Sequence, residues 1–593
     1  MTTRRRSTAA ATAVLTVTVA AACGGGSSDN GGTGTGTGSS GSGSSAPAAF
    51  DAGSEKIVNA SDAKGGTLKL VHPDDWDSPD PGNTYYSFAW NFARNYGRAL
   101  MTYKNQPGKP EVVPDLAEAP GVSSDAGKTW TYKLKDGLKY EDGSPVTSKD
   151  VKYAVERSNY APDVFSNGPT YFNQLLGTDY PGPYKDTSPD KLGLVPIETP
   201  DDKTIVFKLQ QPFAEFDFLA TLPQTMPVPA AKDTGADYQL HPLSTGPYKI
   251  DSYEPGKSMK LSKNPSWDPA NDPNRTQLVD NIDVTLKVEA NDLDNRLTAG
   301  SADLDLAGTG VQAASQAKVL SDPNLKKNAD NPLTGFMRYI AISTKTPPFD
   351  NVHCRKAAIL AANHTDLQTA YGGPTSGDIA TTMMPPTVLG YEKADMYGLL
   401  QDKTGSVDKA KAELAECGQP NGFETVITAR NNRPKEVAGA QALQQALDKV
   451  GIKASIQTFP SGQYFANYAG STNFVAQNKV GLMFMGWGAD WPSGYGFLQQ
   501  VVDSRAIKAS GNTNLSELND PSIDKLLDDS LTTDGVDERN KIWTQIDRKV
   551  MEQAAIIPIV YEKALLYRNP ELTNVFVTPA YGMYSYVGLG IKK

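Results

Sequence analysis

The 593-residue chain has little cysteine and histidine: three of the first, four of the second. Cys23, Cys354 and Cys417 are too few for a disulfide-dense scaffold. His72, His241, His353 and His364 lack zinc-ligand spacing, so no metal and no cofactor is expected. His353 reads as a surface neighbour of Cys354. There is no GxSxG, HExxH or Walker sequence, which leaves an exported hydrolase only as a minor alternative. Glycines between Gly32 and Gly43 are low-complexity sequence, not a phosphate loop. After residue 22 no apolar run reaches the roughly 20 residues that span a bilayer. Net charge is −10, from 57 basic and 67 acidic residues. With no basic cluster among aromatics, nucleic acid is not an expected partner.

What the chain does have begins with Arg4, Arg5 and Arg6, followed by small and apolar residues 7–22 and then Cys23. A basic segment, a short apolar run and a small-residue cut make residues 1–22 a signal peptide. The junction Ala20-Ala21-Ala22-Cys23 resembles a bacterial lipoprotein signal, with Ala20 where Leu, Val or Ile is usual. It implies a lipidated Cys23 and a chain held at the outer face of the cell membrane through that lipid alone. The alternative is an ordinary secretory cut beside an incidental cysteine. Residues 23–64 are rich in Gly, Ser, Thr, Ala and Asp. They read as a disordered tether, reaching about 35 Å for roughly 40 residues.

Roughly 530 residues remain, enough for three or four domain-sized units. Residues 129–158 organise them. Trp130, Tyr132 and Leu134 alternate with Thr131, Lys133 and Lys135, a half-buried strand. Gly143 can take positive φ in the turn that follows. Thr147 stands three residues before Asp150, a capping-box spacing, and Val151, Ala154 and Val155 form one helix face.

This stretch resembles the signature of the dipeptide/oligopeptide/nickel-binding family (family 5) of ABC-transporter solute-binding proteins. Lys135, Tyr140 and Ser148 replace the usual Arg, Phe and Ala. Other motifs of that family recur along the chain. Residues 65–68 resemble its mature start, residues 114–118 its P-x-L-A-E, and residues 244–250 its turn into a strand. Residues 264–267 resemble N-P-x-Y-W, and residues 347–364 the proline-led helix. The resemblance implies an α/β, two-lobed periplasmic-binding-protein-like fold with an additional domain in the first lobe. A two-crossover hinge and a ligand cleft between the lobes come with it. The expected limits are lobe 1 over residues 65–335, with the extra subdomain at about 101–225. Lobe 2 then runs over residues 336–555, and residues 556–593 return to lobe 1.

Within that frame, residues 158–194 form an irregular insertion with no legible role. Asp408 is placed to cap a helix running to Cys417, and residues 480–487 form a buried strand. Cys354 and Cys417 are an even pair in an exported protein, each at a helix end, and are expected to bridge; two buried thiols are the alternative.

The implied function is capture of di- or oligopeptides and delivery to an ABC importer's permease subunits, by a monomer that is not an enzyme. A non-peptide solute, such as an oligosaccharide or metal chelate, is the alternative within the family. The site is expected just after the buried strand, because ligands gather beyond the carboxyl ends of strands in open α/β sheets. Met485, Gly486, Trp487, Gly488 and Trp491 supply close backbone approach and flat apolar walls. Asp490 occupies the place of the family's acid that pairs with a peptide's α-ammonium group. Arg430 lies where dipeptide binders hold the ligand carboxylate. Tyr85 and Tyr86 begin an aromatic run along the expected pocket wall, with Phe88, Trp90 and Phe92 divided between core and ligand.

Overall fold

The computed structural model describes residues 49–165, 167–460 and 463–592. Cys23 and residues 1–22, where a signal peptide is expected, lie outside the described residues.

Strand Thr67–Val71 puts Leu68 and Leu70 into a core and Lys69 toward solvent. It pairs in parallel with Asn281–Thr285 and Leu304–Asp305. Ser258–Lys263 and Tyr248–Glu254 extend this five-stranded sheet in antiparallel fashion. Helix Ser87–Ala93 packs Phe88 and Phe92 into the same core.

The signature stretch follows its pattern. Strand Thr129–Lys133 buries Trp130 and Tyr132. Gly143 has φ 84° in the turn. The N–H and hydroxyl of Thr147 both donate to the Asp150 carboxylate, at 2.8 and 3.1 Å, starting helix Ser148–Tyr160. Val151, Ala154 and Val155 are buried beneath it. Val122–Ser124, Thr204–Lys208 and Ile197–Glu198 complete a four-stranded antiparallel sheet with a hydrophobic core of its own.

A six-stranded sheet builds the other half. Its order is Gly377–Ile379, Ile556–Lys563, Leu333–Ile342, Val480–Gly488, Glu424–Arg430, Lys453–Phe459. Val480–Gly488 is interior and buried through Met485, because Met483 and Met485 face one core and Leu482 and Phe484 the other. A disulfide joins Cys354 to Cys417 with Cα atoms 5.4 Å apart. It ties helix Val352–Ala361 to the end of helix Val407–Glu416.

Several expectations need correction. Strand Ile556–Lys563 does not return to the first half. It lies inside the six-stranded sheet, antiparallel to Leu333–Ile342 and Gly377–Ile379, and its unbroken apolar run suits a strand covered on both faces. The return comes after Lys563, where Leu566–Tyr567 pairs with Ala329–Asp330, so the two crossovers run side by side. Residues 49–64, expected to belong to a disordered tether, are folded onto the rest of the chain. The Gly53 N–H donates to Asp330 at 2.7 Å, and Val58 pairs with Val575. Backbone pairing with the C-terminal segment orders what side chains alone would not. The helix after Gly405 starts from Ser406, leaving Asp408 in its first turn. In the insertion, residues 158–160 finish the signature helix. Phe172, Leu175 and Leu176 then bury one face of a further helix, Tyr171–Leu176.

Candidate functional site

The interior strand ends at Gly488, and its end opens on a cavity of about 620 Å³. Nine aromatic side chains line it: Tyr85, Tyr86, Trp90, Tyr103, Tyr171, Phe336, Phe465, Trp487 and Tyr581. The first five come from the half with the five- and four-stranded sheets. Phe336, Phe465 and Trp487 come from the other half, with Arg430, Met485, Gly486, Gly488 and Asp490. A largely apolar cleft with a few placed polar groups has the form of a small-molecule site.

Asp490 is its acidic centre. Oδ1 accepts a hydrogen bond from the Tyr85 hydroxyl at 2.7 Å, and Oδ2 accepts one from Tyr171. Burial pushes the Asp490 carboxyl above its ordinary pKa, and the two phenol bonds oppose that push. Both phenols are pushed up as well, by burial first and then by the Asp490 charge. Tyr85 stays 44% exposed and Tyr86 54%, so both offer free aromatic surface beside the cavity.

Arg430 lines the cavity but is not a free cation. It is buried, and its Nε and Nη2 both donate to Glu436, with Nε at 2.9 Å. Its guanidinium lies over Tyr464 and Phe465, 5.5 and 5.8 Å from the ring centroids. The two glycines answer a need other than the expected one. A Cβ on Gly488 would come within 3.0 Å of the Phe336 ring, and one on Gly486 would strike the Arg338 guanidinium. Both make room for side chains of the neighbouring strand. Trp487 reaches the wall while its Nε1 donates to the Phe497 carbonyl at 2.9 Å. Trp491 is not a cavity wall. It is 2% exposed and sunk among residues of the four-stranded-sheet core.

Sequence reasoning missed Tyr171, Gln174, Thr221, Leu222, Phe465 and Tyr581, all of which line the cavity. Tyr171 and Gln174 sit in the insertion, where no periodicity marked them.

Comparison with known proteins decides the family. A model for bacterial extracellular solute-binding proteins, family 5 (middle), matches residues 111–509. The chain belongs to this family. A solved structure of "Clavulanic acid biosynthesis oligopeptide binding protein 2" is 43% identical, with a TM-score of 0.87 over 93% of this chain and 99% of that one. Heme-binding protein A of Haemophilus influenzae is 27% identical over 83% of this chain and 86% of its own length. Glutathione-binding protein GsiB of Escherichia coli O1:K1 / APEC is 26% identical over 79% of this chain and 84% of its own. The fold is accordingly two-lobed, with the five- and four-stranded sheets in lobe 1 and the six-stranded sheet in lobe 2. Family 5 members are extracytoplasmic binding proteins that serve ABC importers, and their role is transport rather than turnover. Among the described residues no helix is long and apolar enough to cross a membrane.

Proposed function

We propose that this protein captures oligopeptides with a free α-ammonium group and hands them to an ABC importer, tethered through a lipidated Cys23. One observation carries the reading. A carboxylate two residues beyond the end of an interior strand faces a cleft of about 620 Å³ that nine aromatic side chains help to line. Cleft volumes of about 300–1,000 Å³ enclose ligands of drug size, which corresponds to a short peptide. The 43% identity to a protein named for oligopeptide binding supports it. Asp490 pairs with the ammonium, and the aromatic walls take side chains with little demand on sequence.

Calorimetry with a short peptide and its N-acetylated form is the test. Wild type binds the free peptide and not the acetylated one. Asp490→Ala loses roughly 3–5 kcal/mol, about 10²–10⁴-fold in affinity, because a buried ammonium is left without its partner. Equal binding of both peptides removes Asp490 from the site. The nine aromatic walls favour a second reading, a ring-bearing solute such as an oligosaccharide. It requires binding of that solute and none of the peptide. For the anchor, Cys23→Ser moves the protein out of the membrane fraction; retention there refutes lipidation.

A further inference from the structure

The loop that carries Asp490 reaches across the cleft at three more points. Trp491 lies among lobe 1 side chains, its ring 5.0 Å from Tyr171 and 6.1 Å from Phe213, both edge-on. The Trp491 indole N–H donates to Glu215 Oε2 at 2.7 Å, and the Ser493 hydroxyl donates to the same oxygen at 2.6 Å. Beside them the Ala214 N–H donates to the Leu531 carbonyl of lobe 2 at 3.0 Å. Glu215 belongs to lobe 1, at the start of helix Phe216–Leu219, and is 1% exposed. Its Oε1 and the Arg539 Nε of lobe 2 are 4.0 Å apart, and among the described residues neither has a hydrogen-bond partner.

A carboxylate is costly to bury, and here it is buried at a boundary between two bodies. Among the described residues nothing in lobe 1 satisfies it: its acceptor bonds and its facing cation all come from lobe 2. Separation of the lobes at this point removes both bonds to Oε2 and draws a large indole out of an apolar core. We propose that Glu215 is a positioning residue that latches lobe 1 onto the Asp490–Ser493 loop, so that closing the cleft and placing the Asp490 carboxylate are one event. Asp490 is the residue next to Trp491, and its own N–H is held by the Gly496 carbonyl at 3.3 Å. A shift of the latched side chains therefore moves the cleft carboxylate, and a ligand that fixes Asp490 favours the latched state. The functional meaning rests on Asp490 being the ligand contact; the latch itself does not.

Glu215→Gln separates hydrogen bonding from charge. Its carbonyl oxygen can accept from both Trp491 and Ser493, while the charge that burial disfavours is gone. Arg539, Tyr103 and Tyr495 are the titratable groups in the field of Glu215, and burial raises its pKa against the two hydrogen bonds and Arg539.

Amide hydrogen exchange of the full chain without ligand tests the latch. Glu215→Ala and Trp491→Ala speed exchange at Ala214 by about tenfold or more, while strand Val480–Gly488 keeps its protection. Glu215→Gln restores Ala214 to within about twofold of wild type, since both acceptor bonds survive. Trp491→Phe keeps the apolar plug and removes the donor, giving about fivefold faster exchange, the worth of one hydrogen bond. This milder pair decides the matter where the Ala variants also lose strand protection. Unchanged Ala214 protection in Trp491→Phe, or Glu215→Gln as damaging as Glu215→Ala, overturns the proposal. A wild type that binds no peptide would end the reading of Asp490 and leave these exchange rates as they are.

Discussion

Tyr171 donates its phenol hydrogen to Asp490 across 319 positions of sequence, from the lobe 1 insertion to the end of a lobe 2 strand. With Tyr85 on the other oxygen, the Asp490 carboxylate is held by two hydroxyls of the opposite lobe. These bonds stabilise the charged form that a cationic ligand needs.

Removal of one of them has a signed consequence. Burial raises the Asp490 pKa and the phenol bonds lower it, so Tyr171→Phe lets the carboxyl take its proton at higher pH. Affinity for a peptide ammonium then fails earlier on acidification. Calorimetry across pH shows the acid limb of the affinity curve displaced to higher pH. A limb that stays in place refutes the role given to Tyr171.

Glu156 couples stability to pH with the opposite sign from an ordinary surface acid. Its Oε1 accepts from the Leu194 N–H at 3.0 Å and lies 3.8 Å from Lys152 Nζ, and among the described residues Oε2 has no hydrogen-bond partner. Burial raises its pKa from 4.5 to about 8. Between those values the folded state holds a proton that the unfolded chain releases. Its contribution is therefore complete below 4.5 and is lost as pH rises toward about 8. Glu156→Gln, neutral at every pH, flattens that part of the profile and is more stable than wild type near pH 8. Denaturant midpoints at about pH 5 and pH 8 check it; parallel profiles for both proteins count against it.

Elements with strong local signals were legible before the structure. The alternation from Trp130 to Leu134, the capping pair Thr147 and Asp150, and the apolar run before Trp487 each select one conformation from nearby residues alone. The cleft was legible through family resemblance, on the wall whose strand carries the motif and at Tyr85 and Tyr86 on the opposite wall. Tyr171 was not, because its place depends on packing of Phe172 and Leu176 against a distant sheet. Arg430 lines the cavity as its motif implies, but Glu436, six residues on, gives no sign in the sequence that it pairs with the guanidinium. Strand Ile556–Lys563 was given to the wrong lobe because an apolar run reports burial on both faces and not which sheet supplies it.

The Cys354–Cys417 bridge closes a separation of 63 residues. In the chain-entropy account a loop of that length stabilises by about 4 kcal/mol. The double variant Cys354→Ser/Cys417→Ser should lose stability of that order in guanidinium unfolding, and reduced wild type should match it. Loss of less than about 1 kcal/mol in both would mean that packing of the two helices, not the bridge, holds this edge of lobe 2.

Arg157 links the signature helix to the cleft. Its Nη1 and Nη2 donate to the two Asp80 oxygens at 3.0 and 2.9 Å, and Nε and Nη2 donate to Asp233 at 3.2 and 3.0 Å. Phe165 and Tyr238 lie against the guanidinium at 4.3 and 4.8 Å. Arg157→Met keeps much of the volume and leaves two buried carboxylates without their cation, a loss of roughly 3–5 kcal/mol. Asp233 retains Tyr153 and Tyr184 as donors, at 2.9 and 2.6 Å, so the larger share falls on Asp80. Asp80 caps the short helix Pro81–Asn83 that leads to Tyr85. The variant should therefore weaken peptide binding as well as stability, through the Tyr85 bond to Asp490. Adding Asp80→Asn removes the stranded charge and should recover part of the stability without restoring the position of Tyr85. Guanidinium unfolding and calorimetry on the single and double variants separate the two effects. Full recovery of both by Asp80→Asn would show that the charge, and not the tether it forms, is what Arg157 supplies.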